Sequence, residues 1–145
     1  MLPYLAGAAA LVFAGYHTMG PRSQLYGHTV VRDTLPSRRL ALTFDDGPSD
    51  PCTLRLLEVL ARHEVRATFF MIGRAVEHHP EIARAVASAG HSIGNHTFTH
   101  SLLTLLPATR ICAEIEGCDR VLREIIGRPS VLFRPPYGGR RPGVL

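Results

Sequence analysis

From Arg39 to the C-terminus, short strand-like runs alternate with helical segments, and three of the four runs end in chemically capable residues. Leu40, Leu42 and Phe44 alternate with Ala41 and Thr43 and lead into Asp45-Asp46-Gly47-Pro48, which predicts a strand entering a turn. Asp50-Pro51 then offers an N-cap and a first-turn proline to a helix with Leu54, Leu57, Leu60 and Ala61 on its apolar face. A second strand is expected over Ala67–Ile72. Pro80 opens a helix over Glu81–Ala89 that Gly90 stops. A short strand at His91–Gly94 runs into Asn95-His96-Thr97-Phe98-Thr99-His100. After Pro107, Ile111, Ile115, Cys118, Leu122 and Ile125 fall at helical spacing, ended by Gly127 and Pro129. A fourth strand, Val131–Phe133, leads into Arg134-Pro135-Pro136-Tyr137-Gly138-Gly139. This order predicts an α/β fold built from parallel βα units. Functional loops in such folds gather at the C-terminal ends of the strands, so the loops after strands one, three and four are expected to meet.

The chain has 145 residues, room for one domain but not for a complete eight-unit barrel of ~250 residues. At ~31 residues per unit, the stretch from Arg39 onward accommodates about 3.5 units, in agreement with four strands. Hydrophobic residues make up 46% and charged residues 19%, a globular balance. The net charge is +4, and all 16 basic residues are Arg. They are dispersed apart from Arg38-Arg39 and Arg140-Arg141, without a basic stripe interleaved with aromatics, so no nucleic-acid partner is expected. Cys52, Cys112 and Cys118 form no CxxC pair and, being odd in number, no disulfide framework. No function is assigned to them, and no protein partner is expected.

No charged side chain occurs from Met1 to Pro21, and Leu2–Phe13 is almost wholly apolar. Residues 1–20 read as a hydrophobic anchor or signal-like segment, short of the ~20 apolar residues that a bilayer span needs. Gly7 and Gly15 disfavour a buried helix here. Membrane association through residues 1–20, with the domain outside the cytoplasm, is the expectation. Orientation stays open, because Arg22, Arg32, Arg38 and Arg39 follow the run and favour cytoplasmic retention. Residues 21–37, with Pro21, Gly27 and Pro36, read as a linker.

His96 and His100, four residues apart, can approach one metal ion from a bent loop. Alone, that pair is a weak signal. Asp45-Asp46 strengthens it, because adjacent carboxylates repel and lose solvation when buried, a difficulty that a divalent cation removes for one of them. Two histidines and one carboxylate suffice for a catalytic zinc with open positions. The other carboxylate is then available as a base toward water. Arg134 adds a permanent cation that, held against Asp45, would fix its orientation. Gly138-Gly139 let the backbone approach a ligand closely. His78-His79 and His63 read as solvent-facing, and His91 as structural.

Thr43-Phe44-Asp45-Asp46-Gly47-Pro48, His96-Thr97-Phe98-Thr99-His100 and Arg134-Pro135-Pro136-Tyr137-Gly138 resemble the first three motifs of the polysaccharide deacetylase family, the NodB-homology or carbohydrate esterase family 4 domain. Gly90–Asn95 also resembles the run before the second motif. The resemblance implies a partial (β/α) barrel over residues 38–145, about the first half of the family's barrel. It implies removal of acetyl groups from acetylated polysaccharide or oligosaccharide with a divalent metal, zinc first and cobalt or nickel as alternatives. Asp46, His96 and His100 would hold the metal, Asp45 would be the general base, and Arg134 would tune it. The Tyr137 backbone N–H would donate to the oxyanion.

The family's two later motifs carry a Trp with an Asp, and a Leu-x-His whose imidazole is the general acid. This sequence has no Trp and no His after His100. The expectation is a C-terminally truncated N-acetylglucosamine-polymer deacetylase of the peptidoglycan or chitin-like type. Two alternatives stand beside it: a non-catalytic remnant that keeps the metal site and binds glycans weakly, and an O-acetyl ester hydrolase of the acetylxylan type.

Overall fold

The computed structural model describes residues 2–32 and 39–142; residues 33–37 of the expected linker lie outside the described residues. A parallel three-stranded sheet in the order β1-β2-β3 carries the site, from β1 (Thr43–Gly47), β2 (Thr68–Met71) and β3 (Ser92–Asn95). Helices α2 (Cys52–Arg62), α3 (Gly73–His78), α4 (Pro80–Ser88) and α5 (Ala108–Ile126) supply the connections. The predicted α/β architecture of parallel βα units is therefore observed.

Strand alternation sorts the side chains onto two faces. Phe69, Met71 and Ile93 turn toward the helices. There they join Leu60 of α2, Val76 of α3, Ala83 and Val86 of α4, and Cys118, Val121 and Leu122 of α5 in one core. Phe44 packs against the same cluster from β1. Thr43, Asp45 and Phe70 therefore belong to the opposite face. Helix α5 is held by the predicted apolar stripe, since Ile111, Cys118 and Leu122 are buried and Ile115 and Ile125 half-buried. Gly127, at φ 76°, ends it with an N–H to the Arg123 carbonyl at 3.0 Å, the left-handed cap that glycine adopts without strain.

Several boundaries differ from the sequence reading. The first strand spans Thr43–Gly47 rather than beginning at Leu40, which is 93% exposed. Residues 40–42 are exposed and have no core to alternate against. Helix α2 buries Leu60 and packs Leu56 and Leu57, while Leu54 and Ala61 face outward. Its cap residue is Pro51, without a side-chain cap bond. Thr53 closes the turn instead, its Oγ1 accepting from the Ser49 N–H at 2.9 Å. The short helix α3 was unforeseen, being little over a turn long. The fourth strand shrinks to one parallel bridge, Asn95 with Phe133, and Val131 is 92% exposed. Ser130 Oγ bonds both the N–H and the carbonyl of Leu132, bending the segment before it can extend.

At the N-terminus, α1 (Leu2–Met19) runs unbroken through Gly7 and Gly15, with the described side chains from Tyr4 to Tyr16 exposed. Among the described residues, no helix is long and apolar enough to cross a membrane. The C-terminal end of α1 is tied to the far end of the chain. The Arg140 N–H donates to the Thr18 carbonyl at 2.9 Å, and its buried guanidinium bonds the carbonyls of Gly20 and Ser23 and Thr29 Oγ1.

Candidate metal centre

Asp45 and Asp46 are neighbours in one strand, and simple alternation would send their carboxylates to opposite faces. The pairing of β1 with β2 prevents this. Phe44 opposes Phe69 and Gly47 opposes Met71, so two residues, Asp45 and Asp46, face the single residue Phe70. This is a β-bulge, and Asp46 takes φ 69° within it. Both carboxylates consequently reach the same end of the sheet.

His96 and His100 arrive from the loop that follows β3. The His96 Nδ1–H donates to the Arg134 carbonyl at 2.7 Å. A carbonyl can only accept, so the proton sits on Nδ1 and the Nε2 lone pair is left for a ligand. That Nε2 lies 3.4 Å from Asp46 Oδ1, and His100 Nε2 lies 3.1 Å from the same oxygen. All three ligand atoms fall within 4.8 Å of one another. Bonds of ~2.0–2.1 Å to a tetrahedral ion would separate ligand atoms by about 3.4 Å, so the donor set and its spacing fit a divalent cation. His96 is buried, His100 half-buried and Asp46 exposed, which leaves the group open on the carboxylate side.

Arg134 enters from the segment bridged to β3, where its N–H bonds the Asn95 carbonyl at 3.0 Å. Its Nη1 donates to Asp45 Oδ1 at 2.6 Å and to Thr43 Oγ1 at 3.0 Å. The guanidinium lies 4.0 Å above the centre of the Phe70 ring. Asp45 is thus fixed by a cation that is itself held on an aromatic floor. Tyr137 stands in the 3₁₀ turn Pro136–Gly138, its ring centroid 4.9 Å from that of His100. The turn is closed by Gly138 and Gly139 N–H groups donating to the carbonyls of Pro135 and Pro136. All six residues singled out in the sequence therefore gather at the C-terminal edge of the sheet.

Backbone strain marks the same place. Among the described non-glycine residues, positive φ occurs at Asp46, Glu64, Thr97, His100 and Tyr137, and four of these five build the candidate centre. Left-handed geometry at Thr97 is costly for a β-branched residue and persists only where its surroundings hold it. Thr97 Oγ1 accepts the His100 N–H at 3.1 Å, and Asn95 Oδ1 accepts the Thr97 N–H at 2.8 Å.

Sequence reasoning gave Thr43 and Asn95 no role of their own, although both stand in the motif runs, and missed Phe70, Glu114 and Asp119. Asn95 Nδ2 donates to the Ile115 carbonyl and to Asp119 Oδ1 of α5, at 2.9 and 2.8 Å. Glu114 accepts from Thr99. The signal for Glu114 was an acid on the apolar stripe of α5, between Ile111 and Ile115. The predicted structural His91 is observed: it is buried, and its Nδ1 accepts the Ala67 N–H at 3.2 Å. Burial, and then the Arg66 guanidinium, hold its pKa below the usual 6.5. His63 and His78 are exposed as expected, whereas His79 is half-buried. Cys118 is a core residue whose thiol is pushed up to about 12 by burial.

Comparison with known proteins places the chain in a family. The sequence profile described as polysaccharide deacetylase matches residues 32–145. A chitooligosaccharide deacetylase of Rhizobium leguminosarum bv. trifolii is 41% identical over 108 residues, 74% of this chain and 50% of the relative. A peptidoglycan-N-acetylglucosamine deacetylase of Bacillus cereus is 39% identical over 99 residues, 68% of this chain and 36% of the relative. Among solved structures, a peptidoglycan deacetylase of Bacillus subtilis superposes with a TM-score of 0.71 at 36% identity, over 72% of this chain and 52% of that one. The chain thus spans half or less of the length of these curated relatives. With the family profile matched over residues 32–145 and the fold shared with a solved deacetylase, the chain belongs to the polysaccharide deacetylase family, of carbohydrate esterase family 4 type.

Proposed function

We propose that this chain carries the metal-binding and base-bearing part of a deacetylase that hydrolyses acetamido groups on N-acetylglucosamine polymers of the peptidoglycan or chitin-like type. The observation that carries this reading is the convergence of Asp46, His96 and His100 beside an Asp45 clamped by Arg134. Asp46, His96 and His100 would hold a divalent ion, zinc in the first instance, with cobalt or nickel suited to the same ligands. When bound, the ion supplies Lewis-acid polarisation of the acetyl carbonyl and lowers the pKa of water.

The chain's own residues supply the rest. Asp45 accepts the proton of the attacking water, with Arg134 holding its carboxylate in place. The Tyr137 backbone N–H donates to the oxygen that becomes negative as the acetyl carbon turns tetrahedral. His96, with its Nδ1 proton committed to the Arg134 carbonyl, keeps one ring orientation throughout. Arg134 therefore serves both the base, through its side chain, and the ligand set, through its carbonyl.

The test is acetate release from N-acetylated chito-oligosaccharides and from peptidoglycan fragments by soluble protein loaded with zinc or cobalt. Asp45→Asn should reduce release at least a hundredfold while metal content stays at the parent level. No release from the metal-loaded parent on either substrate would overturn the enzymatic reading for this chain.

A further inference from the structure

Glu114 is 4% exposed, on the face of α5 that packs against the histidine loop. A carboxyl group is retained at such depth only where its oxygens are satisfied. Both oxygens are spent on one residue. Oε2 accepts the Thr99 N–H at 2.7 Å, and Oε1 accepts the Thr99 Oγ1–H at 2.7 Å. Thr99 immediately precedes His100, whose φ of 61° has to be imposed by its surroundings. On the N-terminal side of the loop, Asn95 is bonded to Asp119 and to the Ile115 carbonyl of the same helix. At the loop's centre, the Thr97 and Phe98 carbonyls accept the N–H groups of Gly73 and Arg74 at 3.0 and 2.9 Å.

We propose that Glu114 is a positioning residue for the metal centre, acting through Thr99 to hold His100 Nε2 at its distance from Asp46 and His96. The proposal rests on the reading of Asp46, His96 and His100 as a metal site. The two-point grip fixes both the backbone and the side chain of Thr99, so His100 cannot swing outward without breaking two short bonds to a buried acceptor. The Asn95–Asp119 pair fixes where the loop starts, and the Glu114–Thr99 pair fixes where it delivers its second ligand. Helix α5, which contributes no candidate ligand itself, would thereby set the spacing of both histidines.

The experiment is a cobalt titration of the metal-free 145-residue chain, followed by its visible absorption, with thermal unfolding measured in parallel. Glu114→Ala should weaken cobalt affinity by about 10–100-fold, the range for residues that orient metal ligands. Glu114→Gln should stay within a fewfold of the parent. Its amide oxygen can accept the Thr99 N–H, and its amide nitrogen can donate to Thr99 Oγ1. Thr99→Val, which loses one of the two bonds, should fall between, and should add nothing further in the Glu114→Ala background. Should Glu114→Ala not fold, Thr99→Val alone decides the matter by the same measure. Cobalt affinity within twofold of the parent in Glu114→Ala, or in Thr99→Val where only that variant folds, overturns the proposal. His100→Ala serves as the control. A parent that binds no cobalt, or a His100→Ala variant that binds as tightly as the parent, overturns the metal-site reading and the positioning role with it.

Discussion

At the scale of single residues, the chain fixes two histidines in opposite tautomers by giving them different neighbours. His96 is oriented by a carbonyl that accepts its Nδ1 proton, whereas His91 accepts a backbone N–H at Nδ1 and is kept neutral by burial. Because the folded-state pKa of His91 lies below that of the unfolded chain, the unfolded chain takes up a proton first as the pH falls through about 6.5. The stability contributed by neutral His91 is thus fully present above that pH and is lost as the pH falls toward the folded value. Thermal melts between pH 7.5 and 5 should show this loss. His91→Gln, which can still accept the Ala67 N–H but has no proton to take up, should show a shallower pH dependence than the parent. Equal slopes for the two proteins would assign the effect elsewhere. The six candidate site residues were legible in the sequence. Glu114, Asn95 and Thr43 were not, because their roles are contacts with residues up to 91 positions away.

At the scale of elements, the bulge in β1 and the spacing between β2 and β3 together build the face that carries the candidate site. The bulge turns Asp46 back to the side of Asp45. Gly94 of β3 leaves room for the Phe70 ring, on which Arg134 lies. A Cβ at residue 94 would overlap the Phe70 ring, so Gly94→Ala should displace the ring and destabilise the fold by about 1–3 kcal/mol, as overpacking does. The loss of the aromatic floor should also loosen the Arg134–Asp45 pair. Urea unfolding with an unchanged slope and a lower midpoint would show the first effect. An unchanged midpoint would show that Phe70 relocates freely and that the ring is not confined by residue 94. The strands and the three longer helices of the domain were legible from periodicity and from Pro and Gly punctuation. The bulge was not, because a two-to-one register exists only between two strands. Nor was the collapse of the expected fourth strand, since a strand needs neighbours that its own sequence does not name.

At the scale of the whole molecule, the 145 residues hold a candidate base and a candidate metal group but no histidine beyond His100. The family resemblance implies a general acid on a later histidine, and no residue of this sequence is assigned the role of protonating a leaving amine. Loss of such assistance is commonly worth ~10²–10⁴-fold. An alkoxide leaves more readily than an amide anion. The metal-loaded chain should therefore hydrolyse acetyl esters of a sugar much faster, relative to the matching acetamides, than a full-length relative does. Paired acetate-release assays on an O-acetylated and an N-acetylated oligosaccharide would measure that ratio. A ratio equal to that of a full-length relative would mean that another group supplies the proton.

The sequence by itself determined the α/β class, the order of the elements and the identities of Asp45, Asp46, His96, His100, Arg134 and Tyr137. Those follow from local periodicity, from residue chemistry and, for Tyr137, from the family resemblance of its motif. Only the tertiary structure decided that adjacent aspartates share a face, that the Arg134 carbonyl sets the His96 tautomer, and that α5 grips the histidine loop. Each of these depends on hydrogen bonds and register between segments distant in the chain, and no local pattern encodes a partner that folding alone brings near.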